Sequence, residues 1–393
     1  MTYSTFAFVW IVPASMLGGR ALVGRLARLT CGVVLFEALF GIVQVLAGYR
    51  ANGTFDLDTG DWVQGTIYPH LDSSHAFANP MFAANMAFML LAVAPMVMRE
   101  KRWRLTFAVG AVSLVLASVM HVLFLLAASL LFAAAFYRPK LERRTSRAVI
   151  LGLCVSLPVL AGVLLRTNIW TLSVITEETV SVQTPRSKIT MEAFADLPAE
   201  YPAMPLIGLG PGQFSSRAAL IGTGLYFGGL NPKEIPLMPQ GSSRAFQDYL
   251  ERLWLDAIAN PFYGSTQQPV YSWLSVYTEF GGIVFILLAI GIAAVLLKLK
   301  RAARTASARM IAASTGSGIV LLALLGVQEN YWETPQAILI GAMLLKATYA
   351  QLVYGVERQD SEDSSIRRRP LLSDVPSAVR PDVSTNRWAE RVA

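Results

Sequence analysis

Two stretches of the chain pair an arginine with glycine-rich backbone. Pro185-Arg186 opens a short amphipathic stretch, and Pro205-Leu206-Ile207-Gly208-Leu209-Gly210-Pro211-Gly212-Gln213-Phe214 follows it. Glycines let backbone approach a ligand and present N–H groups as an anion-binding nest. Arginine adds a forked, permanently charged donor for phosphate. Arg186 with Gly208, Gly210 and Gly212 could therefore hold a pyrophosphate, the alternative being a plain turn beside a solvated charge. Arg166, Arg217 and Arg244 are the neighbouring arginines, either further donors to a diphosphate or surface charges.

Acid–base candidates stand close to apolar runs. Glu279, in Thr278-Glu279-Phe280-Gly281-Gly282, falls about two turns inside a helix that follows the glycine stretch. An intramembrane carboxylate is a functional candidate by default, against placement at the interface or in a buried pair. Asp72, His75 and Asn79 have i, i+3, i+7 spacing and share one face if helical. His75 could serve there as a general base, because histidine titrates near neutrality; the alternative is a polar cluster that caps the helix. Glu37 and His121 are isolated polar residues in apolar helices and are expected to face the bundle interior. Glu329-Asn330-Tyr331-Trp332-Glu333 reads as an interfacial turn with its aromatics at headgroup level. No Cys/His cluster has zinc spacing, so no metal site is expected, and Cys31 and Cys154 read as packing residues.

The elements that must position these residues are membrane helices. Hydrophobic residues make up 54% of the 393 and charged residues only 15%, where a soluble domain carries about a quarter charged. The apolar residues are bunched into runs near the length that crosses a hydrocarbon core. Backbone in lipid must satisfy its own hydrogen bonds, so the runs predict helices. The alternating segments of a β-barrel are not seen. The net charge of +7 sits in short clusters between apolar runs, which suits topology signals and argues against nucleic acid.

The fold expected is an all-α integral membrane protein of about nine transmembrane helices, roughly 3–19, 29–48, 76–98, 105–118, 120–137, 147–165, 273–297, 310–327 and 335–353. The run 105–137 is too long for one crossing and folds into two short helices near Ser118-Val119-Met120-His121. With this count all basic clusters fall on one side, among them Arg99, Lys101, Arg102 and Arg104, and that side is cytoplasmic. The acidic connection 49–75 faces out. Residues 1–165 form the first part of the bundle and 273–353 its last three helices. Residues 166–272 are one large extracytoplasmic loop rich in Pro and Gly. It contains two short amphipathic helices, 187–197 (Ile189, Phe194, Leu197) and 243–260 (Phe246, Leu250, Leu253, Trp254, Ala257). Both suit packing on the bundle or lying at the headgroups. Residues 354–393 read as a disordered cytoplasmic tail.

Five stretches in this order carry a resemblance. They are Phe77-Ala78-Asn79-Pro80 with Asn85; Ser118 between two short spans; Arg186 followed by Gly208-Leu209-Gly210-Pro211-Gly212-Gln213-Phe214; Thr278-Glu279-Phe280-Gly281-Gly282; and Glu329-Asn330-Tyr331-Trp332 followed by Pro335. Together they cover most of residues 70–350. The arrangement resembles the O-antigen polymerase and O-antigen ligase superfamily of bacterial membrane glycosyltransferases. The resemblance implies a multi-pass protein of the bacterial inner membrane, with its large loop facing the periplasm or exterior. It implies metal-independent, cofactor-free, inverting transfer of a glycan from undecaprenyl pyrophosphate. A polymerase moves the chain onto a lipid-linked repeat unit; a ligase moves it onto lipid A core or a protein. Arg186 matches the loop arginine that holds pyrophosphate, with Arg217 as a second. Ligases place a histidine shortly before the Glu-Gly stretch, but here Gln267-Gln268-Pro269-Val270-Tyr271-Ser272 has none, which favours the polymerase. Relatives commonly have more spans, so the chain is either a short member or truncated at its start.

The partners expected are the undecaprenyl-pyrophosphate-linked glycan, the lipid bilayer and other polysaccharide assembly proteins, with no nucleic acid. The competing classes are a transporter, which would place ionisable residues along the midplane and show inverted repeats, and a non-catalytic assembly partner.

Overall fold

The apolar runs form helices, as backbone in hydrocarbon requires. The computed structural model describes residues 19–52, 63–67, 69, 78–117, 119–138, 180–225, 231, 241–259 and 268–367. All regular structure among them is helical. The chain divides into two units, Met1–Gly355 and Val356–Ala393. In the second, the described residues continue as helix to Arg367, past the end expected near 353.

In the first unit, α1 (Arg20–Asn52), α2 (Ala78–Arg99), α3 (Arg104–Leu116) and α4 (Met120–Tyr137) precede the polar region. That region holds α5 (Pro185–Ala195), α6 (Leu197–Glu200), α7 (Met204–Ile207), α8 (Arg217–Gly222) and α9 (Glu251–Ala259), the last entered through a π-helical turn at Phe246–Leu250. Then come α10 (Ser272–Ala302), α11 (Ala306–Gln328) and α12, which starts at Pro335. Among the described residues, five helices are long and apolar enough to cross a membrane: Ala21–Gly48, Asn79–Arg99, Ser272–Ala302, Ala306–Gln328 and Ala337–Tyr354. This is the make-up of an all-α, multi-pass membrane protein. The expected spans 29–48, 76–98, 273–297, 310–327 and 335–353 lie on these helices. The run 105–137 is divided, with Val119 extended between α3 and α4, and His121–Tyr137 is apolar but shorter than the five. The expected spans 3–19 and 147–165 lie largely or wholly outside the described residues, as do Asp72, His75, Ser118, Cys154 and Arg166.

Among the described residues, two of the buried apolar clusters bear on the site. The bundle core joins α1, α2 and α3 to α11 and α12 through Val34, Phe82, Met86, Leu114, Leu321 and Leu344, with Cys31 buried among them. A second core, of Ile189, Leu197, Met204, Phe214, Phe246 and Trp254, closes the polar region on itself and reaches Leu274 of α10. The two amphipathic stretches therefore pack chiefly on one another. α5 starts where expected for local reasons: the Thr184 hydroxyl accepts the Ser187 N–H at 3.2 Å, and Pro185 occupies the first helical position. Phe194, grouped with Ile189 and Leu197 by the sequence reading, is exposed instead. It lies five residues past Ile189, about 140° round the helix from the buried face.

Part of the connection 49–75 packs inside the protein. Residues 63–67 are inserted beside α1, with Val63, Gln64 and Gly65 buried. Glu37 accepts the Thr66 N–H at 2.9 Å and also the Thr66 hydroxyl. The side-chain Oε1 of Gln44 accepts the N–H groups of Gln64 and Gly65 at 2.9 and 2.8 Å. Glu37 stands 15 residues before Asn52, so the turn reaches about 22 Å along α1 from that end.

Candidate functional site

The site begins with a broken membrane helix. α10 is interrupted at Gly281, whose φ of 82° and ψ of 170° no helix contains. Glycine is required there, because a side chain would overlap the Leu206 carbonyl. The break frees the carbonyls of Thr278 and Glu279. The glycine stretch takes both: Leu209 N–H donates to Thr278 O at 2.8 Å and Gly210 N–H to Glu279 O at 3.0 Å. At Gly208 (φ 77°) a side chain would overlap the Glu279 backbone, so both sides of the crossing are glycine.

Past the crossing, the stretch wraps the Glu279 side chain. Glu279 is buried, and its carboxylate accepts the N–H groups of Gly212 at 2.6 Å, Phe214 at 3.1 Å and Ser216 at 2.8 Å. The N–H groups of the stretch thus converge on a carboxyl group of the chain itself. Neighbouring bonds tie in the connection between α11 and α12. The Ser215 carbonyl accepts from Ser275 at 2.9 Å and from Asn330 Nδ2 at 3.0 Å.

That connection was expected as an interfacial turn at headgroup level; Tyr331, Trp332 and Glu333 are instead buried. Glu333 Oε2 accepts the Arg217 N–H at 2.6 Å, and the Arg217 guanidinium donates to Thr334 Oγ1 at 2.8 Å. Burial pushes the Glu333 carboxyl up to about 8, with the nearby Glu279 charge adding to the shift and the Arg217 N–H opposing it. Two carboxyls thus meet here, one hydrogen-bonded by three backbone N–H groups and one, Glu333, held largely neutral at pH 7.

Arg186 sits at the rim. It is half-buried, donates through Nε to Gln268 O at 3.1 Å and through Nη2 to Gln328 O, and lies 5.6 Å from the centroid of the Tyr271 ring. Burial pushes its pKa down to about 10, against the favourable charges of Glu329, Tyr271 and Tyr331, so it stays cationic at neutral pH. Tyr331 hydroxyl and His121 Nε2 are 2.9 Å apart, which brings α4 to the same rim. Burial, and secondly Glu329, hold the Tyr331 hydroxyl well above its ordinary range.

Of the residues the sequence singles out, Glu279, Gly208, Gly210, Gly212 and Arg217 meet around one crossing, and Arg186 and His121 meet at the rim beside it. Asn79 is elsewhere, buried at the start of α2 with its Nδ2 donating to Ala117 O at 3.0 Å. Arg244 is exposed and pairs with Asp248 at 3.3 Å. His75 lies outside the described residues. Sequence reasoning gave no site role to Glu333, Ser215, Ser275 or Asn330. The signal available for Glu333 was a carboxylate in a very short connection between two apolar spans. Among the described residues no group of three or more His, Cys, Asp or Glu side chains could hold a metal ion.

Comparison with family models, with curated proteins and with solved structures gives no match to this chain.

Proposed function

We propose that the chain is a polysaccharide polymerase of the bacterial inner membrane, with about nine spans and the region 166–272 on the outer side. It transfers a glycan from undecaprenyl pyrophosphate to a lipid-linked repeat unit, as the resemblance implies. The observation that carries this reading is the posture of Arg186. Main-chain carbonyls of Gln268 and Gln328 hold two of its N–H groups. A guanidinium has five such donors, so three remain to meet a phosphate at the membrane surface.

In the transfer, the acceptor hydroxyl attacks the anomeric carbon and the bond from that carbon to the pyrophosphate oxygen breaks. The oxygen leaves with the electron pair, and the acceptor proton passes to a base. Arg186 stabilises the leaving charge, with Arg217 as a second arginine, as the resemblance implies. Glu279, put forward from sequence as a base, commits both carboxylate oxygens to three backbone N–H groups, which suits positioning of the glycine stretch. His75 is the base candidate that the reading retains. Arg244, paired with Asp248, takes no part.

A second reading, a transporter, draws on Glu37 and Gln44, polar residues deep along α1 that bind an inserted turn. The deciding experiment is gel analysis of surface polysaccharide in a deletion strain, complemented by wild type or Arg186→Ala. Polymerase predicts loss of long chains with single repeat units still on the core, not restored by Arg186→Ala. Chains of all lengths retained on the lipid carrier would indicate the ligase. An unchanged pattern in the deletion strain would remove both for that glycan.

A further inference from the structure

The polar region carries an apolar surface that its own core does not use. Met191 is 57% exposed, Phe194 54%, Leu206 61% and Ile207 68%. Three contacts fix this surface against α10. Phe194 stacks on Tyr277 with ring centroids 4.4 Å apart. The Leu206 carbonyl lies against Gly281, and the Pro205 carbonyl is 2.7 Å from where a Cβ on Gly282 would stand. Directly beyond the break, α10 itself exposes Ile283, Val284, Ile286 and Leu287. The patch on α7 and the outward face of a membrane-length helix are therefore one continuous apolar surface.

Its depth follows from the helix rise. Lys298 is the first charged residue of α10 after Glu279, and it is exposed. Gly281 precedes it by 17 residues, about 25 Å along the axis, against a hydrocarbon core about 30 Å thick. With Lys298 at one edge of the core, Gly281 lies inside the other edge by about 5 Å. Residues 204–207 cross α10 at that level.

A segment at that depth must satisfy its N–H groups within the protein. This one does. Leu206 and Ile207 N–H bond to Ala203 O, Gly208 N–H to Met204 O, Leu209 N–H to Thr278 O and Gly210 N–H to Glu279 O, all between 2.8 and 3.1 Å. A turn in water has no such requirement.

We propose that α7, with Met191 and Phe194 beside it, is a wedge inserted among the phospholipid acyl chains of the leaflet at that end of α10. The region 166–272 is then a partly embedded element that meets lipid directly, and the site around Glu279 lies below the headgroup plane. This proposal does not depend on the transferase reading.

The test is depth-resolved quenching. In a Cys31→Ala, Cys154→Ala background, Leu206→Cys, Ile207→Cys, Met191→Cys and Arg244→Cys are each labelled with a nitrobenzoxadiazole fluorophore. The proteins are reconstituted in phosphatidylcholine vesicles carrying a spin label at acyl carbon 5 or on the headgroup. The labels at 206 and 207 are expected to lose about half their emission to the acyl label and to resist aqueous iodide, with 191 quenched by both lipid probes. The label at 244, on an exposed ion pair, is quenched by iodide alone. Iodide quenching at 206 and 207 equal to that at 244, without acyl-chain quenching, overturns the proposal. All labelled positions are surface residues, so labelling leaves the cores intact.

Discussion

Gly212 donates its N–H to the Glu279 carboxylate at 2.6 Å across 67 residues of chain. Phe214 and Ser216 donate to the same group. A glycine-rich stretch of the kind that binds phosphate here binds a side chain of the same protein. The stretch and the broken helix are consequently one structural object, and substitutions on either side should fail together.

Glu279→Gln tests that coupling. An amide offers one acceptor oxygen and turns donors towards N–H groups, leaving buried donors unmatched. The variant should lose about 3 kcal/mol and become cleavable by protease within 208–216. A variant that keeps wild-type melting and protease resistance while losing transfer would assign Glu279 to catalysis instead.

The glycines at the crossing predict a sharp contrast within one helix. Gly281→Ala and Gly208→Ala each combine positive φ with overlap on backbone and should cost about 2 kcal/mol or more, seen as reduced accumulation in the membrane. Gly291→Ala, with nothing near its Cβ and ordinary helical backbone, should be neutral or slightly stabilising.

Arg186→Lys preserves the charge but loses the fork that reaches Gln268 and Gln328 together. Transfer should fall at least about tenfold with membrane levels unchanged, and further in Arg186→Ala. Loss of protein in proportion to loss of product would reduce Arg186 to a structural role.

Glu333 gives the chain a pH dependence. Its carboxyl titrates near 8 when folded and near its ordinary 4.5 when unfolded. Between those values the folded state holds the extra proton, so its stabilising contribution is full below 4.5 and is lost as pH rises through 8. The slope reaches about 1.4 kcal/mol per pH unit at most. Melting in detergent should decline from pH 5 to 8.5 in wild type and decline less in Glu333→Gln. Parallel curves would show that Glu333 does not titrate in this window.

Legibility in the sequence followed the range of the interactions. Run length placed α1, α2, α10, α11 and α12, and the Ser-Val-Met-His break divided α3 from α4. The glycine stretch and Glu279 were each visible because their residue types are unusual for their surroundings. Their union was not, since no periodicity links residues 67 positions apart. Glu333 escaped for a related reason: an acid in a short connection looks solvated until the neighbouring loop is folded over it. Phe194 was misplaced by counting apolar residues without their angles. The inserted turn at 63–67 was invisible because Gln64, Gly65 and Thr66 are ordinary loop residues, and only the acceptors on α1 give them a place inside.

That inserted turn has a consequence for biogenesis. Glu37 leaves the ribosome 29 residues ahead of Thr66, the residue that later bonds its carboxyl. At about 5–20 residues per second, α1 waits on the order of seconds with that group unmatched. A carboxylate near the centre of an inserting helix costs about 2.5–3.5 kcal/mol on insertion scales. This helix therefore partitions into the bilayer against a penalty that only later sequence relieves, and its commitment to a transmembrane position is completed by the segment that follows it.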